Sequence, residues 1–343
     1  MNLNKSQAMD LDFDSSLIFV GNDQMLKWKI YQRFKRYSES ATYDAIEEEY
    51  FGEVGIDLKI DENKVNLKNC KFICIDDFQD IMSEFNLKRN TLFSKHIEYL
   101  ETDFDISRQM LNIDEEIIKL ESILDEKTME WSDTFSLHVN SLTFKELINK
   151  QLNFNFQFQN QEVPNYTINI KEYLDELLKL IEFQILRTGI EVWIVLFNPE
   201  NLMGSESFTY LLAELRKIYK ESKLLKTVIF HNHYTIDYEI DDISNFVICA
   251  EDTYMFPDYY VLRNSIERFY PIPMKFSDRE LLEKINQVVH YLGAKSSKHV
   301  RLTPKNMVLL KVLSDLIECR FQFETSEEEM SQLEWDYLTR IDI

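Results

Sequence analysis

Glycine and proline are scarce in this chain, six of each in 343 residues. So few breakers exclude a loop-rich or low-complexity protein and require long regular elements joined by few sharp turns. Cysteine is scarce too. Cys70, Cys74, Cys249 and Cys319 sit in apolar segments without framework spacing, which excludes a disulfide scaffold and reads as reduced thiols in the core. No run approaches the roughly 18 to 20 apolar residues of a membrane span, and the amino-terminal MNLNKSQAMDLDFD has no signal-peptide core. The expectation is a cytoplasmic protein with no membrane partner. Positive charge is also in deficit. A formal net charge of −22 opposes whole-surface attraction to phosphate, so a nucleic-acid site would have to gather Lys and Arg on one lining behind a repulsive exterior.

What is present is an alternation of strand and helix. The apolar run 16–20 (SLIFV) closes on Gly21-Asn22-Asp23, and Leu26, Ile30, Phe34 and Tyr37 then mark one helical face, flanked by Lys29, Arg33 and Arg36. Residues 71–75 (KFICI), 192–197 (VWIVLF), 227–230 (TVIF) and 246–250 (FVICA) read as buried strands. Neither Gly nor Pro occurs from Ile56 to Val163. Within that stretch, 78–127 reads as long helices, because Ile113, Ile117, Leu120 and Leu124 form a stripe with Glu and Lys around it, as on a coiled-coil-like hairpin. Phe154, Phe156 and Phe158 alternate as in a short strand or hairpin, and helical patterns recur at about 171–186 and 205–222. After Pro271-Ile272-Pro273 the pattern is helical at about 278–292, 304–319 and 326–340. This order predicts an α/β protein with a mostly parallel sheet covered on both faces. Its discontinuous head spans 1–86 and 185–260, a helical leg spans 87–184, and an all-helical carboxyl-terminal extension spans 261–343.

Ligands of parallel sheets bind beyond the carboxyl ends of the strands. Here those ends carry Gly21-Asn22-Asp23, Asp76-Asp77, Asn198, His231-Asn232-His233 and Glu251-Asp252. The turn GNDQMLKW stands where a phosphate loop would be, yet it reads as lacking the second Gly, the Lys and the Ser/Thr, which excludes the usual route of nucleotide hydrolysis. Asp23 is expected to cap the following helix. Asp76, Asp77, Glu251 and Asp252 could together hold a divalent ion, and His231 with His233 could begin a zinc site, with caps and solvated strand ends as the plainer meaning of these residues. Cys70 and Cys74 share one strand face and read as buried. No GxSxG, HExxH, EF-hand, paired CxxC or Rossmann fingerprint occurs. No enzyme is expected.

Taken in order, SLIFVGNDQMLKWKIYQRF, KFICIDDF, the long helical insertion, EVWIVLFNPENLMGSESFTYLLAELRKIY and KTVIFHNHYTIDYEIDDISNFVICAEDTYMF resemble the long form of the DNA-end-binding adaptation protein of type II-A CRISPR systems. The likeness covers roughly residues 1 to 256 and rests on element order and apolar pattern. It implies a degenerate P-loop-like head with an inserted helical leg, assembled as a homotetrameric ring. Double-stranded DNA would pass through a basic central hole and be held by its ends without sequence preference. Such a ring supports spacer acquisition with the integrase subunits and the RNA-guided nuclease, without being an enzyme. Candidates for the DNA lining are Lys29, Arg33 and Arg36 on the first helix, Lys119 and Lys127 on the leg, and Lys145 and Lys150 near its return. Shorter relatives hold calcium with a dense acidic stretch after the leg helix. TMEWSDTFSLHVNSLTFKEL offers only Glu130, Asp133 and Glu146, so no cofactor is assigned and calcium is left open. Two other readings remain: a divalent-metal-dependent nuclease or phosphohydrolase using Asp76, Asp77, Glu251 and Asp252, and an acidic scaffold that binds only proteins.

Overall fold

The computed structural model describes residues 2–4, 7–39, 42–52, 55–60, 63–88, 90–132, 134–151, 156–158, 161–164, 167–232, 238–297, 300–322 and 332–339. The chain divides into two compact units. One joins residues 1–78 to 189–343, and the other is residues 79–188.

The first unit is built on a six-stranded sheet: β1 (Ser16–Val20), β2 (Cys70–Ile75), β3 (Glu191–Phe197), β4 (Leu225–Phe230), β5 (Phe246–Cys249) and β6 (Thr253–Met255). Its spatial order is β6-β5-β1-β4-β3-β2. All neighbours are parallel except β5 and β6, as expected for strands that read as unbroken apolar runs because both sheet faces are covered. Side chains alternate accordingly. Leu17, Phe19, Trp193, Val195, Val228 and Phe230 join Ile30, Tyr31, Phe34 and Tyr37 of helix α1 (Gln24–Ser38) in one core, while Phe208, Leu211, Leu212, Leu215 and Ile218 of helix α2 (Pro199–Ser222) are also buried. Each such aliphatic or aromatic side chain contributes roughly 1.5–3 kcal/mol by leaving water. The expected face of α1 is therefore present, with Leu26 only half-buried. Asp23 caps that helix by accepting from the Leu26 N–H at 2.9 Å.

Helix α2 breaks at Gly204, whose φ of 73 and ψ of 164 separate a short turn begun by Pro199 from the longer helix expected from residue 205. That turn places Glu200 beneath the strand ends. After residue 258 the chain forms helices Tyr259–Phe269, Asp278–Val288, Pro304–Leu316 and Gln332–Thr339. Ser277 and Glu280 form a capping box on the second, and every residue from Asn306 to Ser314 of the third is buried. Residues 326–331 and 340 of the last expected helix lie outside the described residues.

The second unit contains helices Leu92–Leu100, Phe104–Met129, Phe144–Gln151 and Ile170–Thr188. A hairpin pairs Phe156–Phe158 with Gln161–Val163, as the phenylalanine alternation predicts, and Phe154 lies outside the described residues. The 26-residue helix Phe104–Met129 is the leg helix, α3 here. Its expected coiled-coil-like hairpin does not form, because residues 134–143 return without regular structure. Among the described residues no helix is long and apolar enough to cross a membrane.

Candidate functional site

In the first unit the chain order reverses between β1 and β4. From β1 it leads to β2 at one edge of the sheet, while from β4 it crosses beyond β1 to β5. The crevice at the carboxyl ends of β1 and β4 is thus the place where an α/β sheet binds ligands. It is lined by Gly21-Asn22-Asp23 after β1, Asn198 and Glu200 after β3, and His231 and Asn232 after β4.

The reading that this turn lacks a phosphate-loop lysine is corrected. Counted from Gly21, the seventh residue is Lys27, the position of the lysine in GxxxxGK[ST], with Leu26 and Trp28 replacing the second Gly and the Ser/Thr. Lys27 is fully buried. Its Nζ donates to the carbonyls of Gly21 at 2.9 Å and His231 at 3.1 Å, and to Asn232 Oδ1. Asn232 Nδ2 in turn donates to Asn198 Oδ1, and the Asn232 N–H donates to Glu200 Oε1 at 3.0 Å. Burial pushes the Lys27 amine down to about 8, opposed by the neighbouring acidic groups of Cys249, Glu200 and Asp23.

The backbone donors of the turn are occupied as well. A phosphate loop aims successive N–H groups at its ligand. Here Asn22 N–H donates to the Leu292 carbonyl at 2.7 Å, and Asp23 N–H to the Cys249 carbonyl at 3.1 Å. Gly21 has φ +94, and a Cβ there would lie 2.4 Å from the Cys249 oxygen. Gly293, from the carboxyl-terminal helical region, closes against Ala250 in the same way, with a built Cβ 2.8 Å from the Ala250 Cα.

His231 belongs to this interior. It is buried, shares a hydrogen bond with the Tyr238 hydroxyl at 2.8 Å through Nδ1, lies 3.7 Å from Glu200 through Nε2, and packs edge-on to His290. His233 lies outside the described residues. Asp76 and Asp77 follow β2 and Glu251 and Asp252 follow β5, four strand steps away. At about 4.8 Å per step that is about 19 Å, so these four carboxylates do not share one ion. Asp76 instead accepts from Lys35 at 3.0 Å. Cys70 and Cys249 are buried free thiols, and Cys74 and Cys319 are half-buried.

The candidate cations differ in what they already hold. Lys29 is exposed. Arg33 is buried, donates to the Lys29 carbonyl at 2.7 Å and lies over the Phe51 ring. Arg36 grips Glu47 by two donors, at 2.6 and 2.8 Å, holding the Glu47 carboxyl down to about 2, and its guanidinium sits over Tyr43. Side-chain direction and neighbouring carboxylates thus separate residues that share a flank in sequence. In the second unit, Lys119 pairs with Glu116, Lys127 with Glu130, and Lys150 lies 3.9 Å from Glu146, each pair exposed on one helical turn. Such pairs are weak and open to exchange. Lys145 is exposed beside a cleft lined by Lys95, Glu98 and Glu101. Of the three acids considered for calcium, Glu130 pairs with Lys127, Glu146 accepts from the Thr143 N–H and hydroxyl, and Asp133 lies outside the described residues.

An arrangement absent from the sequence reading lies along α3. The returning backbone donates Leu137 N–H to Asp125 Oδ1 at 2.6 Å, Val139 N–H to Glu121 Oε2 at 3.1 Å and Leu142 N–H to Asp114 Oδ1 at 3.2 Å. Extended chain rises about 3.3 Å per residue and helix about 1.5 Å. The five residues from 137 to 142 and the eleven from 125 back to 114 therefore both cover about 16 Å. The return is an antiparallel strap in register with the carboxylates, to which His138 adds a contact with Glu121 at 3.0 Å.

No protein-family model matches the chain, and no curated protein matches it. Among solved structures it is similar to the crystal structure of Stu0660 of Streptococcus thermophilus, with 17% identity, a TM-score of 0.82 and coverage of 96% of each chain. At that identity the likeness establishes a shared fold.

Proposed function

We propose that the chain belongs to the type II-A CRISPR adaptation family that it resembles and acts in the cytoplasm as a non-enzymatic homotetrameric ring around double-stranded DNA ends. In this reading it serves spacer acquisition beside the integrase subunits and the RNA-guided nuclease. The observation that carries it is α3. Ile106, Met110, Ile113, Ile117, Leu120 and Leu124 follow four-and-three spacing on that helix, the a/d seam of a coiled coil, yet only Thr128 of its residues is buried. Leu120 and Leu124 are exposed, and Phe104, Leu111 and Ile118 add a second exposed line. A helix carrying so much apolar surface is stabilised by packing against another helix, and a second copy supplies the same seam.

A ring also reconciles the charge of −22 with DNA binding, because repeated copies of a small basic patch face one duplex while the outside repels it. Lys29, Lys119, Lys127, Lys145 and Lys150 are the exposed candidates for that lining. Arg33 and Arg36 act through the shape of α1. Contacts to phosphate alone give no sequence preference. The test is a gel-shift series with linear and covalently closed circular duplex of one sequence, alongside light scattering. Retention of the linear form only, by a tetramer, is expected; a monomer, or equal retention of both forms, would reject the reading.

A further inference from the structure

We propose that Lys27 is a tethered cation. Its ammonium group fills the strand-end crevice in place of a ligand, and the cage around it accepts a small primary ammonium ion once the side chain is cut back. The Lys27 Nζ is surrounded by acceptors. Its hydrogen-bond partners are all oxygen acceptors: the Gly21 and His231 carbonyls and Asn232 Oδ1. A primary ammonium has three donors and no acceptor, and it meets three acceptors here. Glu200, which holds the Asn232 N–H, provides the negative charge that a buried cation requires. The cage joins the ends of β1 and β4, the two strands that flank the crevice, so the ammonium clamps the place where a nucleotide would part them.

The cage is unsuited to phosphate on every side. Its carbonyl oxygens repel an anion, Asn22 and Asp23 have given their N–H groups to Leu292 and Cys249, and the Gly21 and Gly293 backbones press against Cys249 and Ala250. The phosphate-loop register survives in the position of Lys27, with its polarity turned inward. A lysine that would have reached out to a γ-phosphate now donates to its own loop.

Truncation exposes the cage. Lys27→Ala removes three carbons and the amine, a space matched in length and charge by n-propylammonium. With the full chain, propylammonium chloride is expected to raise the unfolding temperature of Lys27→Ala saturably. Tetramethylammonium chloride at equal ionic strength and n-propanol at equal concentration should not, and wild type should be indifferent to all three. A folded Lys27→Ala that treats the three additives alike overturns the proposal. Should the variant fail to fold, wild type carries the test. Acylation of the native protein by an N-hydroxysuccinimide ester, followed by peptide mass spectrometry, is expected to modify Lys27 at least about tenfold more slowly than Lys29, because reaction must await local opening. Equal rates overturn the proposal, as does binding of ATP or ADP with magnesium to wild type in a calorimeter.

Discussion

A buried ammonium among carbonyls leaves a signature in stability as well as in chemistry. The unfolded Lys27 amine titrates near 10.4 and the folded one near 8. Between those values the unfolded chain holds the extra proton, so stability rises with pH; below pH 8 both states are charged and the contribution is flat. Replacement by methionine removes the titration and leaves Glu200 and the carbonyls without their cation. Lys27→Met is expected to cost about 3 kcal/mol at pH 7 and about 2 kcal/mol more at pH 9.5, from the 1.36 kcal/mol per pH unit of linkage. Urea unfolding of both proteins at the two pH values checks this. A difference that does not change with pH would mean that the fold does not depress this amine. Raised groups such as Cys249, pushed by burial up to about 12, are present in both proteins and cancel. Gly21 supports the same corner by backbone shape. With φ at +94 and the Cys249 oxygen 2.4 Å from any Cβ, Gly21→Ala is expected to cost at least about 2 kcal/mol by the same measurement.

At the scale of elements, legibility followed burial. The strands were readable because both of their faces are covered, so SLIFV, KFICI, VWIVLF, TVIF and FVICA stand out as unbroken apolar runs. Helix α2 was readable from residue 205 because Gly204 interrupts it there. Lys27 was hidden because a phosphate loop is known by its second glycine and its hydroxyl, and Leu26 and Trp28 remove both. The strap was hidden for a different reason: its amides bond to carboxylates 12 to 28 positions earlier in the chain, and no apolar alternation marks it. Those bonds predict that Glu121→Ala with Asp125→Ala lowers amide-exchange protection at Leu137 and Val139 by about tenfold, while the helical circular dichroism of α3 persists. The His138 contact sets a window. Glu121 is held below the usual carboxylate range by the hydrogen bond from His138 and then that from Val139, and His138 is raised by Glu121. The pair therefore weakens as pH falls through the Glu121 value or rises through that of His138, and protection should peak between them. The exposed end of the seam on α3, Leu120 and Leu124, makes a separate prediction. Leu120→Asp with Leu124→Asp is expected to reduce the mass seen by light scattering to that of smaller assemblies at unchanged helicity, whereas an unaltered mass would remove this seam from subunit contact.

For the whole molecule, the proposed ring would multiply whatever one lysine does. Binding a duplex releases counterions, and the logarithm of affinity falls against the logarithm of salt with a slope near −0.9 for each phosphate neutralised. Lys29→Gln in a monomer removes at most one contact and changes that slope by about 0.9. In a tetrameric ring with Lys29 facing the duplex from every copy, the same substitution removes four and changes the slope by up to about 3.6. The net charge of −22 sharpens the comparison, because it leaves duplex DNA little to bind besides such a lining. Fluorescence titration of a labelled linear duplex across a range of salt concentrations measures the slope for wild type and for Lys29→Gln, Lys119→Gln, Lys127→Gln, Lys145→Gln and Lys150→Gln in turn. Residues lining a hole should fall near the larger change, and residues on the outer face near zero. If none of the five exceeds about one unit, positive charge is not converging on the duplex from several subunits. The acidic scaffold that binds only proteins then becomes the better account of this molecule.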